Sequence, residues 1–169
     1  MSGSRMITWA GAVALAGGAL TAATWTSTAA ANAPHQRQAE PGSAAASFMI
    51  ISNMNRFCLD IRASNTGVGA GLNMQPCTGN ANQLWHWDGS RLVSNLNAKC
   101  LDINDNNGAS GAGVNMWDCH DGPAQKWRWS GTQLANANNN CLTIPSQNGG
   151  RGAAVAMWAC NGDPGQQWS

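Results

Sequence analysis

The sequence predicts an all-β domain of three like lobes with one disulfide in each, and three observations predict it. The first is a repeat. Counting from Cys58, Cys100 and Cys141, the next 28 positions align without a gap, and ten are identical in all copies: C-L-x-I-x3-N-x3-G-A-x3-M-x2-C-x5-Q-x-W. The copies recur after 42 and then 41 residues, and self-similarity at a fixed period decides the architecture before any local reading does. The second is the cysteine arithmetic: six residues, two per copy, always 19 apart. The third is that no segment sustains a helical period, while short apolar runs alternate with Gly/Asn clusters.

Taken in order, residues 1–33 read as a secretory signal. Arg5 precedes a small and apolar run, Met6 to Ala23, and Ala31-Asn32-Ala33 is a cleavage site of the A-x-A kind. A membrane anchor fits less well, because Gly11, Gly17, Gly18, Thr8 and Thr21 dilute the run. No twin arginine and no cysteine accompany it, so neither twin-arginine export nor a lipid anchor is indicated. Residues 34–46 (PHQRQAEPGSAAA) are Pro/Ala/Ser/Gln-rich without an apolar period, the composition of a flexible leader. One domain, 47–169, follows, with lobes at about 47–87, 88–129 and 130–169.

Within it, Phe48–Ser52, Arg91–Ser94 and Gln133–Ala135 each lead into a copy, and Asp88-Gly89 and Ser130-Gly131 supply tight turns before the second and third. Asn55 and Asn53, Asn97 and Asn95, Asn138 and Asn136 stand three and five residues before each first cysteine, a spacing that suits turns in which an amide bonds its own backbone. In an exported chain the cysteines read as a disulfide framework, and of the 15 possible pairings the repeat favours Cys58–Cys77, Cys100–Cys119 and Cys141–Cys160. Zinc is a poor alternative, since ligand pairs normally sit closer and His86 and His120 do not recur in the third copy. No metal or cofactor is expected.

Alternation says what faces where. Leu101 and Ile103 share one face of the first strand of the second copy, Cys100 and Asp102 the other; on the next strand Val114 and Met116 oppose Asn115, Trp117 and Cys119. Leu101, Ile103, Val114, Met116 and Trp127 are the expected core. A Cys100–Cys119 bond ties the two non-core faces together and brings Asp102, Asn115 and Trp117 to one surface patch. Three units of about four short strands, none able to bury its apolar face alone, can close into one barrel of pseudo-threefold symmetry; a propeller needs at least four blades. The chain stops at Ser169, before a third counterpart of Trp87 and Trp129, and the expectation is a weak closure of the last strand on Phe48–Ser52.

Charge excludes some functions. Without Arg5 the mature chain has eight basic and eight acidic residues, which offers no electrostatic footprint for nucleic acid or anionic lipid. Only 10% of residues are charged, and a surface wetted by neutral amides suits a neutral polar ligand.

The signatures Gln83-Leu84-Trp85, Gln125-Lys126-Trp127 and Gln166-Gln167-Trp168, with the Cys-Leu-Asp-Ile openings, resemble a ricin-B-type (R-type) lectin over about residues 47–169. This is a β-trefoil carbohydrate-binding module, family-13-like, found alone or attached to secreted bacterial glycosidases. The resemblance implies a shallow sugar pocket in each lobe. An Asp two after the first cysteine accepts from sugar hydroxyls, an aromatic two before the second cysteine stacks on the ring, an amide two before that and an Asn beside the Gln add polar contacts, and the Gln orients the Asp. Such a set suits a polyol, which needs a multi-lone-pair acceptor, an amide that donates and accepts, and a flat apolar platform.

Carried onto this chain, the second lobe has Asp102, Asn115, Trp117 and Gln125, with Ala124 where the extra Asn is expected. The first has Asp60, Asn73, Asn82 and Gln83, but Gln75 replaces the platform. The third keeps Trp158 and Gln166 but has Thr143, Ala156 and Gly165 instead of the Asp and the amides. The second lobe ranks as the best site, the first as weaker, the third as degenerate and structural. Trp85, Trp127 and Trp168 belong to the core, Trp87 and Trp129 to packing at strand ends.

The expected function is therefore a non-catalytic, secreted, monomeric lectin for galactose-type sugars, N-acetylgalactosamine among them, or for a plant polysaccharide such as xylan, with no nucleic-acid partner and no membrane insertion. A glycosidase needs two carboxylates about 5–10 Å apart, whereas Asp60 and Asp102 fall on separate lobes. His120 beside Asp118 and Asp121 reads as a surface turn rather than part of a triad. The alternatives are a β-trefoil protease inhibitor and an accessory binding subunit of a separate glycoside hydrolase.

Overall fold

Each cysteine-to-cysteine segment folds into the same β-hairpin, and in each the invariant residues explain the fold. The computed structural model describes residues 45–169; the expected signal segment and residues 34–44 of the leader lie outside the described residues. In chain order the strands are β1 (Phe57–Ile61), β2 (Ala70–Pro76), β3 (Trp85–Asp88), β4 (Arg91–Ser94), β5 (Cys100–Ile103), β6 (Val114–Trp117), β7 (Trp127–Ser130), β8 (Gln133–Asn136), β9 (Asn140–Thr143) and β10 (Ala156–Ala159), and among the described residues the only helical segments are 3₁₀ turns. Antiparallel hairpins β1/β2, β5/β6 and β9/β10 are the repeated units. Hairpins β3/β4 and β7/β8 connect one unit to the next.

The repeat's apolar positions form one core. Leu59, Leu101 and Leu142, Ile61, Ile103 and Ile144, and Met74, Met116 and Met157 are all buried in it, with Trp85, Trp127 and Trp168. The invariant Asn after each first strand makes an Asx turn, its Oδ1 accepting from the backbone N–H two residues on: Asn65 to Gly67, Asn107 to Ala109, Asn148 to Gly150, at 2.9, 2.9 and 3.0 Å. The invariant Gly has φ of +79°, +89° and +80° at Gly69, Gly111 and Gly152, which any side chain would strain. From that turn the Gly N–H reaches the methionine carbonyl of a neighbouring lobe: Gly69 to Met116, Gly111 to Met157, Gly152 to Met74, each 2.8 Å. The three hairpins are thereby linked in a ring.

The other asparagines behave partly as expected. Asn55 and Asn97 accept from Phe57 and Lys99 backbone N–H groups, whereas Asn138 instead donates its amide to Asn106 of the second lobe.

Closure is well tied. Phe48 exchanges backbone hydrogen bonds with Trp85, Ile51 exchanges them with Ser169, and Asn53 N–H donates to the Gln167 carbonyl, all near 2.8 Å. The expectation of a weak closure is corrected: the backbone of Ile51 and Asn53 is hydrogen-bonded to Ser169 and Gln167. All three disulfides join the cysteines of one lobe, with Cα–Cα distances of 5.1, 5.1 and 5.0 Å.

Candidate functional site

Asp60 and Asn73 sit directly opposite each other on β1 and β2, as do Asp102 and Asn115 on β5 and β6, while Cys100 opposes Trp117 and Cys141 opposes Trp158. Alternation thus places the acid, amide and platform positions on one side of each hairpin, where the disulfide anchors them, and the second hairpin fills all three with an acid, an amide and an indole. In the second lobe the group lines a cavity of about 410 Å³ with Asn104, Asp105, Asn106 and His120. Trp117 is 44% exposed, so its face is open to a ligand.

The carboxylate differs from the surface position expected of it. Asp102 is only 6% exposed, because the glutamine of the Gln-x-Trp signature closes over it. Gln125 Nε2 donates to Asp102 Oδ2 at 2.9 Å and to the Asp118 carbonyl at 3.0 Å, while its Oε1 accepts from the His120 N–H at 2.8 Å. The first lobe repeats this: Gln83 donates to Asp60 and the Pro76 carbonyl and accepts from the Thr78 N–H. In the third, Gln166 donates to the Thr143 hydroxyl and the Ala159 carbonyl and accepts from the Asn161 N–H. One fully buried amide therefore joins the acid position to the segment after the second cysteine in every lobe, which is a structural reason for its recurrence.

The Gln125 amide uses Oδ2 of Asp102. His120 Nε2 lies 3.2 Å from the same oxygen, and the ring is oriented by its Nδ1, which accepts from the Gly122 N–H at 2.9 Å. Gly122 makes room, since a Cβ there would stand 2.8 Å from the ring. His120 is the residue sequence reasoning missed: it is a wall of the cavity, not a plain surface turn. It stands beside Asp102 on the side from which, in the first lobe, Asn82 Nδ2 donates to Asp60 Oδ2 at 2.7 Å, where the second lobe has Ala124 in place of that asparagine. The available signal was its place one residue after the second cysteine, whose backbone touches the invariant glutamine.

In both lobes Oδ1 of the aspartate is left without a protein partner by these bonds. The amide oxygens of Asn73 and Asn115 are buried and make no hydrogen bond among the described residues. Buried acceptors without partners are uncommon, and here two recur at equivalent places. Burial pushes the Asp60 carboxyl above its ordinary value, with the hydrogen bonds from Gln83 and Asn82 pulling the other way. Asp121, beside the second cavity's rim, is held below it by the Lys126 hydrogen bond and charge, then by Arg91.

The first lobe's cavity, about 300 Å³, contains Asp60, Gln75, Asn82 and Gln83 together with Arg151 from the third lobe. The third lobe keeps a cavity of about 350 Å³ beside Trp158, which is 42% exposed. Its acid position, Thr143, is turned inward, donating to the Cys141 carbonyl at 2.8 Å. At Gly165 a Cβ would lie 2.6 Å from the Ile144 carbonyl oxygen, so an asparagine cannot stand there without a backbone shift.

Each pocket is bordered by two consecutive non-glycine residues of positive φ: Ala63 and Ser64, Asp105 and Asn106, Ser146 and Gln147, at +51° to +55°. Six such residues at equivalent positions mark strain held by the surrounding packing, a common companion of binding sites.

A closed threefold barrel carrying acid, amide and indole in shallow lobed cavities defines a β-trefoil of the sugar-binding class. The chain belongs to the ricin-type beta-trefoil lectin domain family, which matches residues 46–168. Among solved structures it is similar to the C-half of an earthworm R-type lectin, determined in complex with GalNAc: 25% identity, 73% of this chain and 95% of that one, TM-score 0.62. It is also similar to the β-trefoil lectin of the Vibrio vulnificus hemolysin/cytolysin, determined with N-acetyl-D-lactosamine bound: 26% identity, 75% and 94%, TM-score 0.61. A designed threefold-symmetric protein, ThreeFoil, shares the fold at 22% identity, 72% and 95%, TM-score 0.67. No curated protein matches by sequence. Family and neighbours together support carbohydrate binding.

Proposed function

We propose that this protein is an exported, non-catalytic lectin whose main site is the second-lobe cavity, taking a galactose-type ring or a sugar unit of a plant polysaccharide. The observation that carries this reading is the Asp102–Asn115–Trp117 group, an acceptor, an amide and an exposed platform around one dish. In it Trp117 stacks on the apolar face of the ring, Asp102 Oδ1 and the Asn115 amide take hydroxyls, and Gln125 and His120 hold the acid from behind. Asp60, Asn73, Asn82 and Gln83 form the weaker first-lobe site with Gln75 on its wall, and Trp158 marks a third lobe stripped of its acid. The three disulfides fit an oxidising, extracellular setting, and residues 1–33 supply the export signal. The protein acts as a monomer.

The test is retention on galactose-bearing and xylan matrices by the full chain and by Trp117→Ala and Asp102→Asn variants. Losing a stacking platform or a charged acceptor costs about 1–3 kcal/mol, a loss of affinity of roughly 5- to 150-fold. Trp117→Ala removes only an exposed side chain and is expected to leave the urea midpoint in place. Retention equal to that of the unaltered chain in both variants would overturn the assignment.

A further inference from the structure

We infer that the first-lobe cavity is a site for an acidic sugar, whose ring hydroxyls meet Asp60 and whose carboxylate or sulfate meets Arg151; this deepens, and rests on, the lectin reading of that lobe. The position equivalent to Trp117 and Trp158 is here Gln75. Its Oε1 accepts from Arg151 Nε at 2.8 Å, a bond between lobes 76 positions apart in sequence. A neutral stacking platform is thus replaced by an amide that holds a guanidinium at the cavity wall. With Nε committed to Gln75, both Nη groups have no hydrogen-bond or carboxylate partner among the described residues, and a planar fork of free N–H donors matches a carboxylate or sulfate.

The backbone fixes the arginine on both sides. Gly150 N–H closes the Asx turn on Asn148, and Gly152, at φ +80°, donates to the Met74 carbonyl at 2.8 Å, one residue from Gln75. The same construction sets one residue of a neighbouring lobe beside every platform position. Gly69 N–H donates to the Met116 carbonyl, next to Trp117, and the residue before it is Val68. Ser110 Oγ accepts from the Ala159 N–H, next to Trp158. The three companions are Val68, Ser110 and Arg151, so only the first-lobe pocket acquires a cation.

Charge is distributed to match. Every Lys or Arg ion pair among the described residues lies in the second lobe, on Arg91, Lys99 and Lys126. Residues 47–87 carry Arg56, Arg62 and only Asp60, and Asp60 is buried under Gln83 and Asn82. Arg151 is the one cation among the residues that line this pocket, and it has no carboxylate partner among the described residues.

The experiment is an NMR titration of the full oxidised chain with D-galacturonate, galactose 6-sulfate and D-galactose, following the side-chain amides of Gln75 and Asn82 for the first lobe and the Trp117 indole for the second. At Gln75 and Asn82 an acidic sugar is expected to bind at least fivefold more tightly than galactose, and Arg151→Gln to abolish that preference while the Trp117 response to galactose is unchanged. The two acidic probes separate carboxylate from sulfate recognition, and a preference for either upholds the inference. Equal response to galactose, no response at the first lobe, or a preference that survives in Arg151→Gln overturns it. In those cases a Trp117 response leaves the lectin reading standing, and silence there to every sugar removes that reading too.

Discussion

Asp60 shows what a single buried carboxylate costs and contributes. Its folded-state value is raised by burial above the ordinary 3.8. Below 3.8 both folded and unfolded chains hold the proton and there is no penalty. As the pH rises from there through the folded midpoint, the buried group must ionise, so its contribution to stability falls and stays lost at neutral pH. The ionised form is nevertheless the pure acceptor that a sugar hydroxyl requires. An NMR titration of the Asp60 carboxyl is expected to give a midpoint above the usual aspartate range. First-lobe binding should fade as the pH drops through that midpoint, and Asp60→Asn should remove this component of the pH dependence of stability.

Among the elements, the tight turn before each first cysteine carries a visible strain. Arg56, Ala98 and Asn139 occupy equivalent places, two residues before the cysteine, with φ of +61°, +54° and +62°. Asparagine tolerates the left-handed region; alanine does so at a cost of about 1 kcal/mol. Ala98 is exposed, and its N–H donates to the Ser94 carbonyl at 3.0 Å, so glycine can replace it without loss of a contact. Ala98→Gly is expected to raise the unfolding free energy by about 0.5–1 kcal/mol despite glycine's greater freedom in the unfolded chain. A higher urea midpoint with an unchanged slope would show it; a lower midpoint would mean that the turn is not strained in solution. The hairpins themselves were legible in the sequence, because strand pairing within one lobe is local and its apolar alternation is regular. The six left-handed pocket residues were not, since Ala63 and Ser146 carry no side-chain mark of a positive φ.

For the whole molecule, three lobes share one core and each is closed by its own disulfide. A loop of about 20 residues is worth roughly 3 kcal/mol in the chain-entropy treatment, so three supply about 9, comparable to the entire net stability of an ordinary domain at about 5–15. Reduction with a phosphine is therefore expected to lower the melting temperature by about 25 °C or more and to abolish sugar retention in the same transition. Retention and near-ultraviolet circular dichroism that persist unchanged after complete reduction would show that core packing alone holds the lobes.

By itself, the sequence determined the all-β class, the three lobes, the pairing of the cysteines and the buried Leu, Ile, Met and Trp positions. Each of these follows from in-phase repetition, which records what every lobe must do identically to close around one axis. The tertiary structure alone decided how deep Asp102 lies, that His120 stands against it, and that Arg151 crosses from the third lobe to Gln75 in the first. Those features break the repeat. They arise where side chains distant in sequence meet across the seams between lobes, and an alignment of one lobe on another compares equivalent positions without saying which of them are neighbours.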